Sequence, residues 1–93
     1  MKNRSKSIVV VGSINTDMTI KAEWLPRPGE TILGGRFFTA QGGKGANQAV
    51  AAARLGAPVG MIAKVGCDAL GNASIASLAH EGIDTTGIVP DSV

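Results

Sequence analysis

Apolar residues follow two different rhythms along this chain. Ile8-Val-Val-Val11 is an unbroken β-branched run closed by Gly12-Ser13. Such a run reads as a strand covered on both faces, the pattern of a central strand in a parallel sheet. Met18-Thr-Ile-Lys-Ala22 partly alternates, as a strand with one wet face does. Pro26-Arg-Pro-Gly29 must break it, because proline lacks an N–H donor and restricts the residue before it. Thr31 to Thr39 resumes an extended pattern, interrupted at Gly34-Gly35 by a bulge or bend. Residues of about 16–22 and 30–39 therefore predict two short strands of a hairpin-like flap standing off the main sheet.

The rhythm then changes. Ala46 to Leu55 is rich in alanine, and Gly56 sits where a left-handed C-terminal cap belongs, followed by Ala57-Pro58. Residues 42–55 thus read as a glycine-rich turn running into a helix. Val59 to Val65 reads as a second covered strand. Gly66-Cys-Asp68 turns the chain, and Asp68 or Asn72 can cap a second helix, with Asp68 the structural cap we favour. That helix presents Ile75, Leu78, Ala79 and Ile83 at helical spacing, with Gly82 as its stop. Ile88-Val89 opens a last short strand. The order β, flap, α, β, α, β predicts an α/β fold, a parallel sheet flanked by helices with right-handed crossovers. Residues 1–93 are expected to form one portion of such a domain, with the sheet still incomplete at Val93.

Composition narrows this further. The 93 residues are 44% hydrophobic and 17% charged, a globular balance with a thin core. Trp24, Phe37 and Phe38 are the only aromatics, and all three belong to the flap, where exposure would suit a pairing surface. Net charge is +2, with Lys2, Arg4, Lys6 and Lys21 near the start. Without a dense basic block or interleaved aromatics, MKNRSKS is a solvated leader, and no nucleic-acid partner is expected. The apolar run after it is too short for a signal-peptide core or a membrane span, so a cytoplasmic chain that does not engage a membrane is expected. Cys67 stands alone, which excludes an intrachain disulfide and a multi-cysteine metal site. It has no histidine or basic neighbour to activate it, and His80, late in the second helix, suits the helix dipole rather than catalysis.

The stretch Thr39-Ala-Gln-Gly-Gly-Lys-Gly-Ala-Asn-Gln-Ala49 carries the candidate chemistry. A Walker-type loop needs Ser or Thr after its lysine, but Lys44 is followed by Gly45 and Ala46. A dinucleotide fingerprint needs G-x-G-x-x-G directly after the first strand, where this chain has Gly12-Ser-Ile-Asn. Both nucleotide readings fail. Gly42-Gly43 does allow a close backbone approach, helix N-terminal amides are free donors, and Lys44 and Asn47 add side-chain groups. Asn15 and Asp17 lie just past the first strand, on the same side of extended chain. Alternating neutral donors and acceptors suit a polyol or sugar, whereas Asp17 would repel an anion. A tight strand-to-helix turn with small residues for packing is the simpler alternative for Gly42 to Asn47, less favoured once Asn15 and Asp17 are set beside it, and those two could be turn residues bonded to nearby backbone.

Val11-Gly-Ser-Ile-Asn-Thr-Asp17, Pro28-Gly-Glu-Thr31 and Gly42-Gly-Lys-Gly-Ala-Asn-Gln-Ala49, with Gly56, Gly66 and Gly66-Cys-Asp-Ala-Leu-Gly71, resemble the opening of the carbohydrate kinases of the ribokinase/phosphofructokinase-B type. The resemblance runs from about Ile8 to Ile88. It implies a sugar site made by Asn15, Thr16, Asp17, Gly43, Lys44, Gly45, Ala46 and Asn47, and a β-flap that closes over the sugar and pairs with a second copy in a homodimer. It also implies transfer of the ATP γ-phosphoryl group to the 5-hydroxyl of D-ribose, with Mg2+ and a monovalent cation such as K+. The family's late G-A-G-D segment with its catalytic aspartate, its N-x-x-E magnesium motif and its ATP pocket are absent. The chain is therefore expected to be roughly the first third of such a kinase and inactive alone, with no catalytic, cofactor or metal residue of its own. Another sugar or nucleoside kinase of this family, or a non-catalytic sugar-binding or dimerisation fragment, are the alternatives.

Overall fold

The computed structural model describes residues 7–92. All of the basic leader except Ser7 lies outside them. Seven elements follow in order: β1 (Ile8–Val11), β2 (Asn15–Lys21), β3 (Arg36–Gly42), α1 (Lys44–Arg54), β4 (Val59–Gly66), α2 (Ala69–His80) and β5 (Ile88–Asp91). Three strands form a parallel sheet in the order β1-β4-β5, while β2 and β3 form a separate antiparallel hairpin. The expected α/β architecture and the flap are both present.

The sheet is covered on one face. Register places Val10 beside Met61 and Ala63 beside Ile88. These side chains meet α1 and α2 in a core of Ala46, Ala49, Val59, Met61, Leu78, Ile83 and Ile88. Each larger aliphatic chain buried there contributes about 1.5–3 kcal/mol. Small residues on α1 let that helix sit close. On the opposite face Val9, Val11, Ile62 and Val89 are exposed, Val11 at 75%. This corrects one expectation: β1 is an edge strand in the described residues and β4 is central. An apolar run records which side chains suit burial; it does not fix how many neighbours the strand receives.

Both helices end as their sequences predict. Gly56 and Gly82 take φ of 98° and 84°. Around them Ala57 N–H donates to Ala52 C=O and Gly56 N–H to Ala53 C=O, and Ile83 and Gly82 repeat the pattern on Leu78 and Ala79. These paired bonds satisfy carbonyls that the helix leaves unpaired. Asp68 caps α2, its Oδ1 accepting from Gly71 N–H at 2.8 Å. Helix α1 begins two residues earlier than expected, so Lys44 and Gly45 lie in its first turn. On α2 the inward face carries Ser74 and Leu78, and Ala79 is exposed.

The hairpin differs from its expected limits. Its ladder runs from Asn15 opposite Gly42 to Lys21 opposite Arg36, so residues 30–35 fall outside it. Gly34 and Gly35, at φ of 89° and 101°, turn the chain out of strand geometry. Glu30 ties the connecting turn, its Oε1 accepting from Arg27 N–H at 2.9 Å. Trp24, Phe37 and Phe38 are at least half exposed.

Candidate functional site

Two short segments meet where the hairpin joins the body. Gly43, the residue before α1, has φ 101° and ψ 134°. A Cβ there would lie 2.7 Å from Ser13 O and 3.0 Å from Asn15 N. Gly45 packs just as closely: its Cβ would lie 2.9 Å from both Gly12 Cα and Ser13 N. Ala46 N–H donates to Ser13 C=O at 3.1 Å. The space beside these glycines is therefore occupied by the chain's own β1–β2 connection. One first-turn amide is already used, while among the described residues nothing accepts from the N–H groups of Lys44 or Gly45.

Strand alternation sorts the hairpin into two faces. Asn15, Asp17, Thr19 and Lys21 share one face with Gly42, Ala40, Phe38 and Arg36. Thr16, Met18 and Ile20 share the other with Gln41, Thr39 and Phe37. The Asp17 carboxylate leans over Gly42, where a Cβ would lie 2.8 Å from Oδ2. Glycine at 42 thus leaves room for that acceptor next to the start of α1. This is the point at which the two sequence motifs touch.

Two hollows flank the junction. One, of about 520 Å³, is lined by Asn15, Thr16 and Asp17 with Val65, Gly66, Asp68 and Ser74 among others. The second, of about 540 Å³, lies between α1 and α2 and is lined by Gln41, Ala46, Asn47, Arg54, Ser77 and Glu81 among others. The structure thus brings Asn15, Thr16 and Asp17 into one hollow and Ala46 and Asn47 into another. Gly43, Lys44 and Gly45 line neither. Asn47 stands a full turn into α1, with its N–H on Gly43 C=O, and sits on the flank that faces α2. Arg54 and Glu81 close the far end of the second hollow with a two-pronged pair at 2.9 and 2.6 Å. The Arg54 hydrogen bond holds the Glu81 carboxyl below its usual value, and Glu81 correspondingly raises Arg54. Among the described residues no group of three or more His, Cys, Asp or Glu side chains gathers as a metal site. Nor is any helix there long and apolar enough to cross a membrane.

Sequence reasoning missed the link between the two hollows. Ser74, 3% exposed, donates its hydroxyl to Gln41 Oε1 at 2.8 Å. A serine one turn before Leu78, on the inward face of α2, was the one available signal.

Known proteins extend this geometry. The chain is 52% identical over 83 residues to a ribokinase of Haemophilus influenzae, a match covering 89% of this chain and 27% of that protein. It is 48% identical over 85 residues to a Bacillus subtilis ribokinase, covering 91% and 29%. The structure of Arabidopsis thaliana ribokinase complexed with ribose and ATP superposes with a TM-score of 0.82 at 37% identity, covering 91% of this chain and 28% of that one. The chain thus spans between a quarter and a third of the length of these relatives. The family model described as pfkB family carbohydrate kinase matches residues 5–92. From the glycine-packed junction through both capped helices, this chain belongs to the pfkB carbohydrate kinases.

Proposed function

We propose that this chain is the sugar-recognising part of a ribokinase, which phosphorylates the 5-hydroxyl of D-ribose with ATP. The observation that carries the reading is the Asp17 carboxylate over Gly42, beside two first-turn amides with no acceptor among the described residues. In this reading Asp17 accepts hydrogen bonds from two sugar hydroxyls, and Asn15 both donates and accepts. Gly43 to Ala46 supply backbone close to the sugar, Thr16 steadies the hairpin root, and Lys44 and Asn47 add donors from the body side. A neutral polyol suits this mixture: Asn15, Asp17, Lys44 and Asn47 are all exposed, and a hairpin closed over the sugar would make each unmatched polar group costly. Water exclusion by the hairpin keeps ATP from simple hydrolysis.

ATP supplies the phosphoryl group. Its pocket, the catalytic base and the sites for Mg2+ and K+ belong, in this reading, to the remainder of a longer enzyme in the cytoplasm. The 93 residues alone are then inactive. The exposed Met18, Ile20 and Phe37 on one hairpin face favour a homodimer through the flap.

The test uses the complete reading frame in a coupled ATP assay with ribose, deoxyribose and fructose. Asp17→Ala is expected to lower kcat/KM for ribose about 10- to 100-fold, the size of a lost charged hydrogen bond. Asn47→Ala asks whether the second hollow takes part. Unchanged kcat/KM in Asp17→Ala defeats the proposed site, and a preference for fructose transfers the reading to another sugar.

A further inference from the structure

The hollow that holds Asn15, Thr16 and Asp17 has a one-sided charge. Two of the residues that line it are acids, Asp17 on the hairpin and Asp68 at the start of α2, and none is basic. Lys44 does not line it, and Lys64 on β4 lies 3.7 Å from Asp91 instead. Both carboxylates are seated on glycine in the same way. A Cβ would lie 2.8 Å from Asp17 Oδ2 at Gly42 and 2.7 Å from Asp68 Oδ2 at Gly66. A Cβ at Gly71 would run into Gly66 C=O, so this glycine too keeps the Asp68 turn in shape. Asp68 Oδ1 accepts from Gly71 N–H, whereas Oδ2 accepts from nothing among the described residues. The cap thus uses one oxygen and leaves the second without a donor.

The first turn of α2 opens on this hollow through Leu70 and Gly71. A helix N-terminus carries about half a positive charge and ordinarily draws phosphate. Here a full negative charge sits on it, and Gly71 N–H is already taken. We propose that Asp68, besides capping α2, sets the specificity of the hollow: it turns away anionic sugars, so that the neutral sugar enters and its phosphorylated product is not retained. A round hollow of about 520 Å³ is about 10 Å across, close to one Debye length at about 0.1 M salt. A phosphate anywhere inside therefore feels Asp68. Screened repulsion between a dianionic phosphate and one carboxylate about 5–10 Å away in water weakens binding by a factor of about two to five. Asp17 adds to the repulsion, but in the proposed site it also binds hydroxyls, so Asp68 is the residue on which charge can be varied alone. This deepens the sugar-site reading and rests on it for the identity of the sugar.

Asp68→Asn separates the two roles of this residue. Its amide oxygen still accepts from Gly71 N–H, and asparagine caps as well as aspartate, but the charge is gone. Asp68→Ser, another good cap, repeats the test in case one variant folds poorly. With the complete enzyme, ribose 5-phosphate is titrated as an inhibitor against ribose in the coupled ATP assay. Both variants are expected to bind ribose 5-phosphate about two- to fivefold more tightly than wild type, with KM for ribose within about twofold. In about 1 M choline chloride, where the Debye length is about 3 Å, the difference is expected to vanish. Inhibition no tighter than in wild type, a KM for ribose that changes by the same factor, or a difference that persists in high salt overturns the proposal. The sugar-site reading fails on a separate result, an unchanged kcat/KM for ribose in Asp17→Ala. If that occurs while Asp68→Asn binds ribose 5-phosphate more tightly, the repulsion by Asp68 stands and Asp17 is not the sugar's contact.

Discussion

Gly43→Ala tests what the glycines at the start of α1 are for. Its φ of 101° and ψ of 134° place it in backbone space that costs other residues about 1–3 kcal/mol. Its new Cβ would also meet Ser13 O at 2.7 Å and Ile14 Cα at 3.0 Å. These are backbone atoms held by the Ala46–Ser13 bond, so they yield poorly, and overpacking of this kind adds about 1–3 kcal/mol. Reduced freedom of the unfolded chain returns about 0.4–1 kcal/mol. A net loss of about 3 kcal/mol follows from those ranges. Gly56→Ala is the control, because its φ is 98° but no heavy atom lies within 4 Å of its Cβ. It carries the conformational part alone, about 1–2 kcal/mol. In a chain this size each 1 kcal/mol moves Tm by about 4–8 °C, so Gly43→Ala should melt roughly 12–24 °C lower and Gly56→Ala roughly 4–16 °C lower. Urea titrations followed by circular dichroism give both differences on one scale. If Gly43→Ala costs no more than Gly56→Ala, close packing on Ser13–Asn15 is not what demands glycine there.

Asp68→Ala removes the cap of α2 and should lower stability by about 1 kcal/mol, with Asp68→Asn within a few tenths of wild type. A urea midpoint unmoved by the alanine change would show that Gly71 N–H finds another acceptor at no cost. The Arg54–Glu81 pair predicts a pH dependence. Because Glu81 titrates below its usual value in the fold, its contribution is present above the unfolded carboxylate range. It is lost as acid carries the pH down through the lowered folded value. Thermal midpoints between about pH 3 and 6 should fall less steeply for Glu81→Gln than for wild type. The Arg54 side chain is 68% exposed and that of Glu81 24%, so the pair is open to solvent on the arginine side; the difference should be small and should shrink further in high salt. An identical acid limb for the two proteins would remove the pair from the stability of the fold.

Sequence and structure part company where contacts are distant along the chain. Strand runs, alanine-rich helices, their glycine stops and the Asp68 cap are local patterns, and each was legible because its physics is complete within a few residues. The hairpin register was not. Asn15 and Gly42 become strand residues only by pairing with each other, 27 positions apart, whereas their local sequence reads as turn. Ile8–Val11 was read as central because its side chains suit burial on two faces, yet the neighbour count belongs to the sheet. Gln41 and Ser74 are 33 residues apart, and nothing in either segment announces the other.

The glycine-rich stretch shows the same division at the site itself. Its composition correctly signalled a close approach, but the approach is first to Gly12, Ser13 and Ile14, and only Gly42 leaves room for a functional side chain, that of Asp17. One group of glycines thus serves the fold and the candidate chemistry together. Gly43 and Gly45 let the β1–β2 connection settle on the helix mouth, and that settling brings Asp17 over Gly42 beside Lys44 and Gly45 amides that no group among the described residues accepts from. A bulkier residue at 43 or 45 would displace the hairpin root. It would therefore weaken folding and sugar recognition in parallel, whereas Asp17→Ala would spare the first and weaken the second. Separating those two losses decides whether the junction is only a packing solution.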